Sequence, residues 1–182
     1  MSCRDFVQKT GSRCAEFAKL AACQCENVTT SEHSPGSVAN GESLIRHIFS
    51  SQQYHAETGT LRANAFDDIW GDGLSVTRKD HVSCGDFASL TSDLLEVKKK
   101  RNPLTKLEGV LLISVNAIRG MCWDADLSRM LCVYDTGTES NPAHADVCTP
   151  RIPLTKDEKA ELRDFLTEIS GTLCVDWRPL FR

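Results

Sequence analysis

Three short stretches set chemically capable side chains against apolar runs. "SLIRHIF" carries Arg46 and His47, "GLSVTR" carries Ser75 and Arg78, and "NPAHADVC" carries His144. In an extended strand Leu44, Arg46 and Ile48 share one face. A guanidinium among apolar neighbours needs an internal carboxylate or an anionic ligand. Asp135 and Asp146 are the internal carboxylates considered for it. Its planar fork also suits a phosphate held by two parallel hydrogen bonds. Ser75 follows a Gly-Asp-Gly turn and alternates with Leu74 and Val76. Its hydroxyl could orient a ribose or phosphate, or bond only to nearby backbone. Pro142 fixes the backbone just before His144, and a histidine held at a strand start is suited to proton transfer near neutral pH. A turn cap, or a pair with Asp135, is the bland alternative for it. Arg78 closes its strand and is expected to be exposed, as a second cation within reach of a ligand.

Other chemistries find less support. The chain has no G-x-x-x-x-G-K-[ST] loop and no G-x-G-x-x-G opening a helix. It also lacks H-E-x-x-H and G-x-S-x-G. His81 with Cys84 and His144 with Cys148 offer zinc-type donors. Residues four apart in an extended strand sit ~13 Å apart, however, so no metal site is expected. Cys84, at a helix entry with His81 nearby, is a weak candidate for an activated thiolate.

The elements that must position these residues read as follows. "SRCAEFAKLAACQCEN" patterns as a helix, with Ser12 as its cap and Cys14, Phe17, Ala21 and Cys25 along one stripe. A Ser/Thr/Gly/Pro-rich linker follows, so residues 1–40 are separated from a main domain at 41–182. "SLIRHIF", "LSVTR", "VLLISVNAI", "PAHADVC" and a hairpin within "RGMCWDADLSRMLCVYDT" read as strands. "TLCVDWRPLF" is expected to add an edge strand. A long helix begins near Ser83 or Asp86, with Phe87, Leu90, Leu94 and Val97 as its apolar stripe. "KKKR" closes that helix, where cations suit the negative end of the dipole; a phosphate-contacting patch is the alternative reading. A second helix starts at the capping-box pair Thr155 and Glu158 and stops at Gly171. The expected class is α+β: one mixed, largely antiparallel sheet of about five short strands, two packed helices and an N-terminal helix on a linker.

Composition narrows the partners. The chain has 182 residues and a formal net charge of −4, which argues against a non-specific nucleic-acid binder. No apolar stretch approaches the ~20 residues of a membrane span. The start "MSCRDFVQKTGSR" lacks the apolar core of a secretory signal, so a cytoplasmic location is expected. In that compartment the nine cysteines should be free thiols, mostly buried as small hydrophobes.

From Glu42 to Cys148 the order "LIRHI", "AF" before "LSV", and "NPAHADV" resembles a group of small uncharacterised bacterial proteins. The resemblance implies a bacterial source and points to Arg46, Phe66, Ser75 and His144. A weaker similarity is to NAD-consuming ADP-ribosyltransferase-like domains. There Arg46 and Ser75 match the first two positions loosely; Glu139 or Asp146 would have to stand for the acidic third. Two functions are therefore carried forward. One is a protein that binds a phosphate-bearing ligand (a nucleotide, NAD or a nucleic-acid end), acting as a transferase or hydrolase in a defence or toxin context. There Arg46, Phe66 and Arg78 hold the ligand, and Ser75 and His144 do the chemistry. The other is a non-catalytic accessory or immunity module that uses residues 1–40 to bind a protein partner. The cofactor is left open.

Overall fold

Apolar runs and alternating segments pair into a central sheet, and the two best-capped stretches become its long helices. The computed structural model describes residues 3–7, 13–20, 24–50, 52–123 and 126–181. Short helices α1 (Cys3–Val7) and α2 (Arg13–Phe17) precede a 3₁₀ turn at Gln24–Asn27. Strand β1 (Ser43–Phe49) leads into a small hairpin, β2 (Tyr54–His55) and β3 (Thr60–Leu61), and a 3₁₀ segment at Ala63–Trp70. Then come β4 (Leu74–Arg78), α3 (Cys84–Arg101), β5 (Leu107–Ser114) and α4 (Val115–Gly120). Strands β6 (Cys132–Asp135) and β7 (His144–Cys148) precede α5 (Lys156–Ile169). The sheet order is β5-β1-β4-β7-β6, and each of its pairings is antiparallel. The α+β class expected from the sequence is the one observed.

The two sheet faces are covered differently. On one face Leu44, Ile48, Leu74, Val76, Leu111, Ile113, Val133 and Val147 form the main core. That core is closed by the Ala63–Trp70 segment, α4 and α5, with Phe66, Ile69, Leu162 and Leu166 buried in it. Both members of the Thr155–Glu158 capping box are made at the start of α5. The second face carries two separate clusters. At the β6–β7 end Cys132, Tyr134 and Cys148 are covered by Cys14, Phe17 and Cys25. At the β1–β5 end Ile45 and Val110 are covered by Phe87 and Trp177. Each fully buried aromatic contributes roughly 1.5–3 kcal/mol of transfer free energy.

Several expectations need correction. Cys3 and Cys25 form a disulfide and Cys132 is also disulfide-bonded, so the thiols are not all free. Cys14, Cys84, Cys122, Cys148 and Cys174 remain thiols. "VLLISVNAI" is not one strand: Ser114 ends β5 and its hydroxyl accepts from Ala117 N–H, turning the chain into α4. The tail makes a single bridge, Cys174 to Val110, and ends in a 3₁₀ turn at Arg178–Phe181. The apolar stripe of α3 is split. Phe87 is buried, while Leu94 is 37% and Val97 51% exposed. The reason is that the aromatic cluster lies under the N-terminal half of α3 only. The expected cap Ser12 lies outside the described residues. No helix among the described residues is long and apolar enough to cross a membrane.

Candidate functional site

A cleft of about 360 Å³ opens on the second face of the sheet, and Arg46, Ser75 and His144 all line it. Its floor is β4 and β7. Their register sets Ser75 opposite Asp146 and Thr77 opposite His144. Directly opposed residues of an antiparallel pair share a face, so all four belong to one face, with Ser75 and His144 as diagonal neighbours. Ser75 Oγ lies 2.5 Å from His144 Nε2. On the other side of the ring, Nδ1 lies 2.8 Å from Thr136 Oγ1 and 3.2 Å from Thr136 O. A carbonyl can only accept, so the bond to Thr136 O requires the proton on Nδ1. Nε2 is then left to accept the Ser75 hydroxyl proton. A nucleophile, a base and a group that orients the base are thus in sequence. Asp146 Oδ1 is 3.9 Å from Nε2, and Asp146 Oδ2 is held by Arg13 at 2.6 Å.

Arg46 reaches this cleft because the β1–β4 ladder is short. It is registered at Leu44–Arg78 and Ile45–Thr77 and stops there. Beyond it the Arg46 guanidinium bridges the strands, Nη1 donating to Ser75 O at 3.0 Å. Nη2 donates to Asp68 Oδ2 at 3.1 Å and to Ala65 O at 3.4 Å. The Arg46 side chain is 9% exposed and that of Asp68 58%. Arg46 Nε is buried with no hydrogen-bond partner. Burial lowers the Arg46 pKa, and the Asp68 carboxylate opposes that shift. Neither Asp135 nor Asp146 forms the ion pair with Arg46; the carboxylate is Asp68, from "FDDIW".

Across the cleft α3 presents Leu90, Leu94 and Lys98 at spacings of four residues, one helical stripe. Burial, then the Arg46 charge, lower the Lys98 pKa. His47 Nε2 bonds Thr91 Oγ1 at 2.9 Å, and burial pushes its pKa down to about 4. Among the described residues no group of three or more His, Cys, Asp or Glu side chains is placed to hold a metal ion.

The remaining sequence candidates lie elsewhere. Arg78 is not exposed: it is 1% accessible. It grips Glu42 with Nε and Nη2, each at 2.7 Å, and donates to Gly36 O at 2.5 Å. Burial opposes ionisation of Glu42, but its hydrogen bonds to Arg78 and Ala39 win and lower its pKa. Arg78 therefore fastens the 34–37 loop to the sheet. Phe66 is fully buried in the main core and does not line the cleft.

No protein-family model, no curated protein and no solved structure matches this chain. The site therefore has to be read from its own geometry. That geometry includes residues the sequence did not flag: Asp68 and Thr136. For Thr136 the available signal was the tight β6–β7 connection, which must bring the residue after Asp135 beside His144. Lys98 belongs to "KKKR", whose alternative reading as a phosphate-contacting patch and whose spacing from Leu90 and Leu94 both bear on the cleft.

Proposed function

We propose that this chain is an enzyme that binds a phosphate-bearing ligand and cleaves or transfers at its phosphate. The class of ligand is a nucleotide, NAD or a nucleic-acid end. The observation that carries the reading is the Ser75–His144 contact within the cleft that also exposes Arg46. Arg46 holds a non-bridging phosphate oxygen. Its ion pair with Asp68 does not block this, because a solvated carboxylate yields readily to a better-placed anion. The unpartnered Nε adds a donor already stripped of water.

The reaction balances on the residues present. Ser75 Oγ bonds to phosphorus as the bond to the leaving oxygen breaks. The hydroxyl proton passes to His144 Nε2 and then to the leaving group. Water, or an acceptor hydroxyl, next attacks the phosphoserine, giving its proton to His144. That proton returns to Ser75 Oγ as the phosphate or transfer product departs. The Nδ1–H bond to Thr136 keeps the ring in the required tautomer throughout.

The test is turnover of a panel of nucleotides, NAD and short oligonucleotides, followed by ³¹P NMR. Ser75→Ala and His144→Gln should slow the active substrate by about 10²–10⁴-fold with unchanged circular dichroism. Undiminished turnover in both variants sinks the reading. Nicotinamide release without phosphate-bond cleavage would move it to ADP-ribosyltransferase-like chemistry. The alternative, a partner-binding module built on residues 1–40, is weakened by Cys14 and Phe17, which are buried against the chain's own sheet. A bacterial source, implied by the sequence resemblance, and a defence or toxin context both belong to this proposal. A cytoplasmic location also belongs to this proposal; under it the Cys3–Cys25 bond would be one that the cell opens and closes.

A further inference from the structure

The cleft does not end at Lys98. A smaller cavity of about 170 Å³ adjoins it and shares Phe49, Gln53 and Lys98. Its other walls are Ser50, Gln52, Arg101, Asn102 and Thr105. No carboxylate of the described residues lines it. Lys98 and Arg101 supply two cations, and amides and hydroxyls supply the rest of the polar surface. Neither cation forms an ion pair among the described residues, whereas Lys99, on the same turn, is paired with Glu96 at 3.1 Å. The Lys98 ammonium lies 5.0 Å from the centre of the Phe49 ring, which holds it at the junction of the two cavities.

The opposite end of the cleft has the reverse character. There a third cavity shares Leu90, Ser140 and Asn141 with the cleft and adds Asp86 and Asp93. Helix α3 therefore presents carboxylates beyond one end of the reactive pair and cations beyond the other. A ligand with several negative charges has one favourable direction in this groove.

We infer that the cavity of Lys98 and Arg101 is a second anion subsite, so that the substrate carries at least two linked phosphates. This rests on the proposed function: one phosphate sits at Arg46 and Ser75, and the next lies toward Arg101, away from Asp86 and Asp93. Two donors of fixed charge on a second phosphate should tighten binding by about tenfold or more relative to a single phosphate.

The experiment is calorimetric titration of the full chain with inorganic phosphate, pyrophosphate and tripolyphosphate at fixed ionic strength. Wild type should bind pyrophosphate about tenfold tighter than phosphate. The double variant Lys98→Gln/Arg101→Gln should lose that gain, binding pyrophosphate no tighter than phosphate. The double variant Lys99→Gln/Lys100→Gln removes the same charge from the same helix end but outside the cavity, and should keep the gain. Equal affinity for phosphate and pyrophosphate in wild type overturns the second subsite and leaves the proposed function standing. Equal loss in both double variants overturns it too, since the gain would then be a general field effect. Binding of none of the three probes overturns both the subsite and the phosphate reading beneath it.

Discussion

The two flanks of the cleft are built from different materials. At the β6–β7 end the sheet is covered by a segment of very short helices, packed through cysteines. Cys14 and Cys148 lie together in the cluster, Cys3 is bonded to Cys25, and Phe17 stacks on Tyr134 with ring centres 3.8 Å apart. At the β1–β5 end the cover is the 18-residue helix α3, held by rings. Phe87 lies 4.9 Å from His47, 4.9 Å from Trp177 and 5.2 Å from Phe181. One flank is fastened covalently and the other by packing. A five-residue helix cannot hold itself in water. A long capped helix needs only an anchor. The cleft is what lies between the two solutions, and each wall should respond to different perturbations.

The largest effect is expected where packing alone holds a wall. Phe87 and Thr91 are the only buried residues of α3. Phe87→Ala should cost about 3–5 kcal/mol, read as a lower urea midpoint. A loss under 1 kcal/mol would mean that the C-terminal turn, not Phe87, anchors the helix.

Next comes the covalent flank. The Cys3–Cys25 bond spans a sequence separation of 22 residues, for which loop-closure entropy gives about 3 kcal/mol. Cys3→Ser should lower the urea midpoint of non-reduced protein by that amount, with little further change from Cys25→Ser added to it. An unchanged midpoint in Cys3→Ser would show that the segment is held by Phe17 and its neighbours without the bond.

A third perturbation touches the aromatic flank alone. His47 is buried and neutral, with a pKa near 4 in the fold against an ordinary value of 6.5. The unfolded chain therefore binds the proton more readily, and this contribution to stability is present above about pH 6.5 and is lost as pH falls toward 4. At pH 5 the loss is about 2 kcal/mol. His47→Gln, which can still bond Thr91, should be less sensitive to acid than wild type by that amount when urea midpoints at pH 7 and pH 5 are compared. Equal sensitivity would place the acid-labile group elsewhere.

The same contrast explains what could be read from the residues. The aromatic flank was largely legible: Ser83 caps α3 by accepting from Asp86 N–H, and Phe87 is on the buried side. So were the central strands and the capped α5, because period and capping are local signals. Disulfide pairing is not local, and a compartment argument from the N-terminus pointed the wrong way for Cys3, Cys25 and Cys132. The convergence of Arg46, Ser75 and His144 depends on a strand order, β1-β4-β7, that no single segment encodes. Arg46 sits within an apolar run while Arg78 closes its strand between Thr77 and Lys79, yet both are buried against a carboxylate. The partner separates them: Glu42 is buried with Arg78 as a structural clamp, whereas Asp68 stays solvated beside Arg46 at the cleft.

The smallest expected effect tests whether the covalent flank touches the chemistry at all. Among the described residues, Arg13 in α2 reaches toward the cleft through its ion pair with Asp146, which is paired across the sheet with Ser75. Gly73 makes the space that Asp146 occupies: a Cβ there, where φ is +97°, would lie 2.9 Å from Asp146 Cγ. Asp146 is 1% exposed and Arg13 29%, so the pair falls between surface and buried cases, and Arg13→Ala should cost about 1 kcal/mol. The consequence for the site should be larger than that cost suggests. Without Arg13 the Asp146 carboxylate lacks its cation, and its other oxygen is already 3.9 Å from His144 Nε2. It then competes with His144 Nε2 for the Ser75 hydroxyl proton. Turnover should fall several-fold, up to the tenfold that corresponds to about 1.4 kcal/mol, and Arg13→Lys should restore much of it. If Arg13→Ala lowers the urea midpoint but leaves turnover unchanged, the strap is scaffolding only, and the Ser75–His144 pair owes its geometry to Thr136 alone.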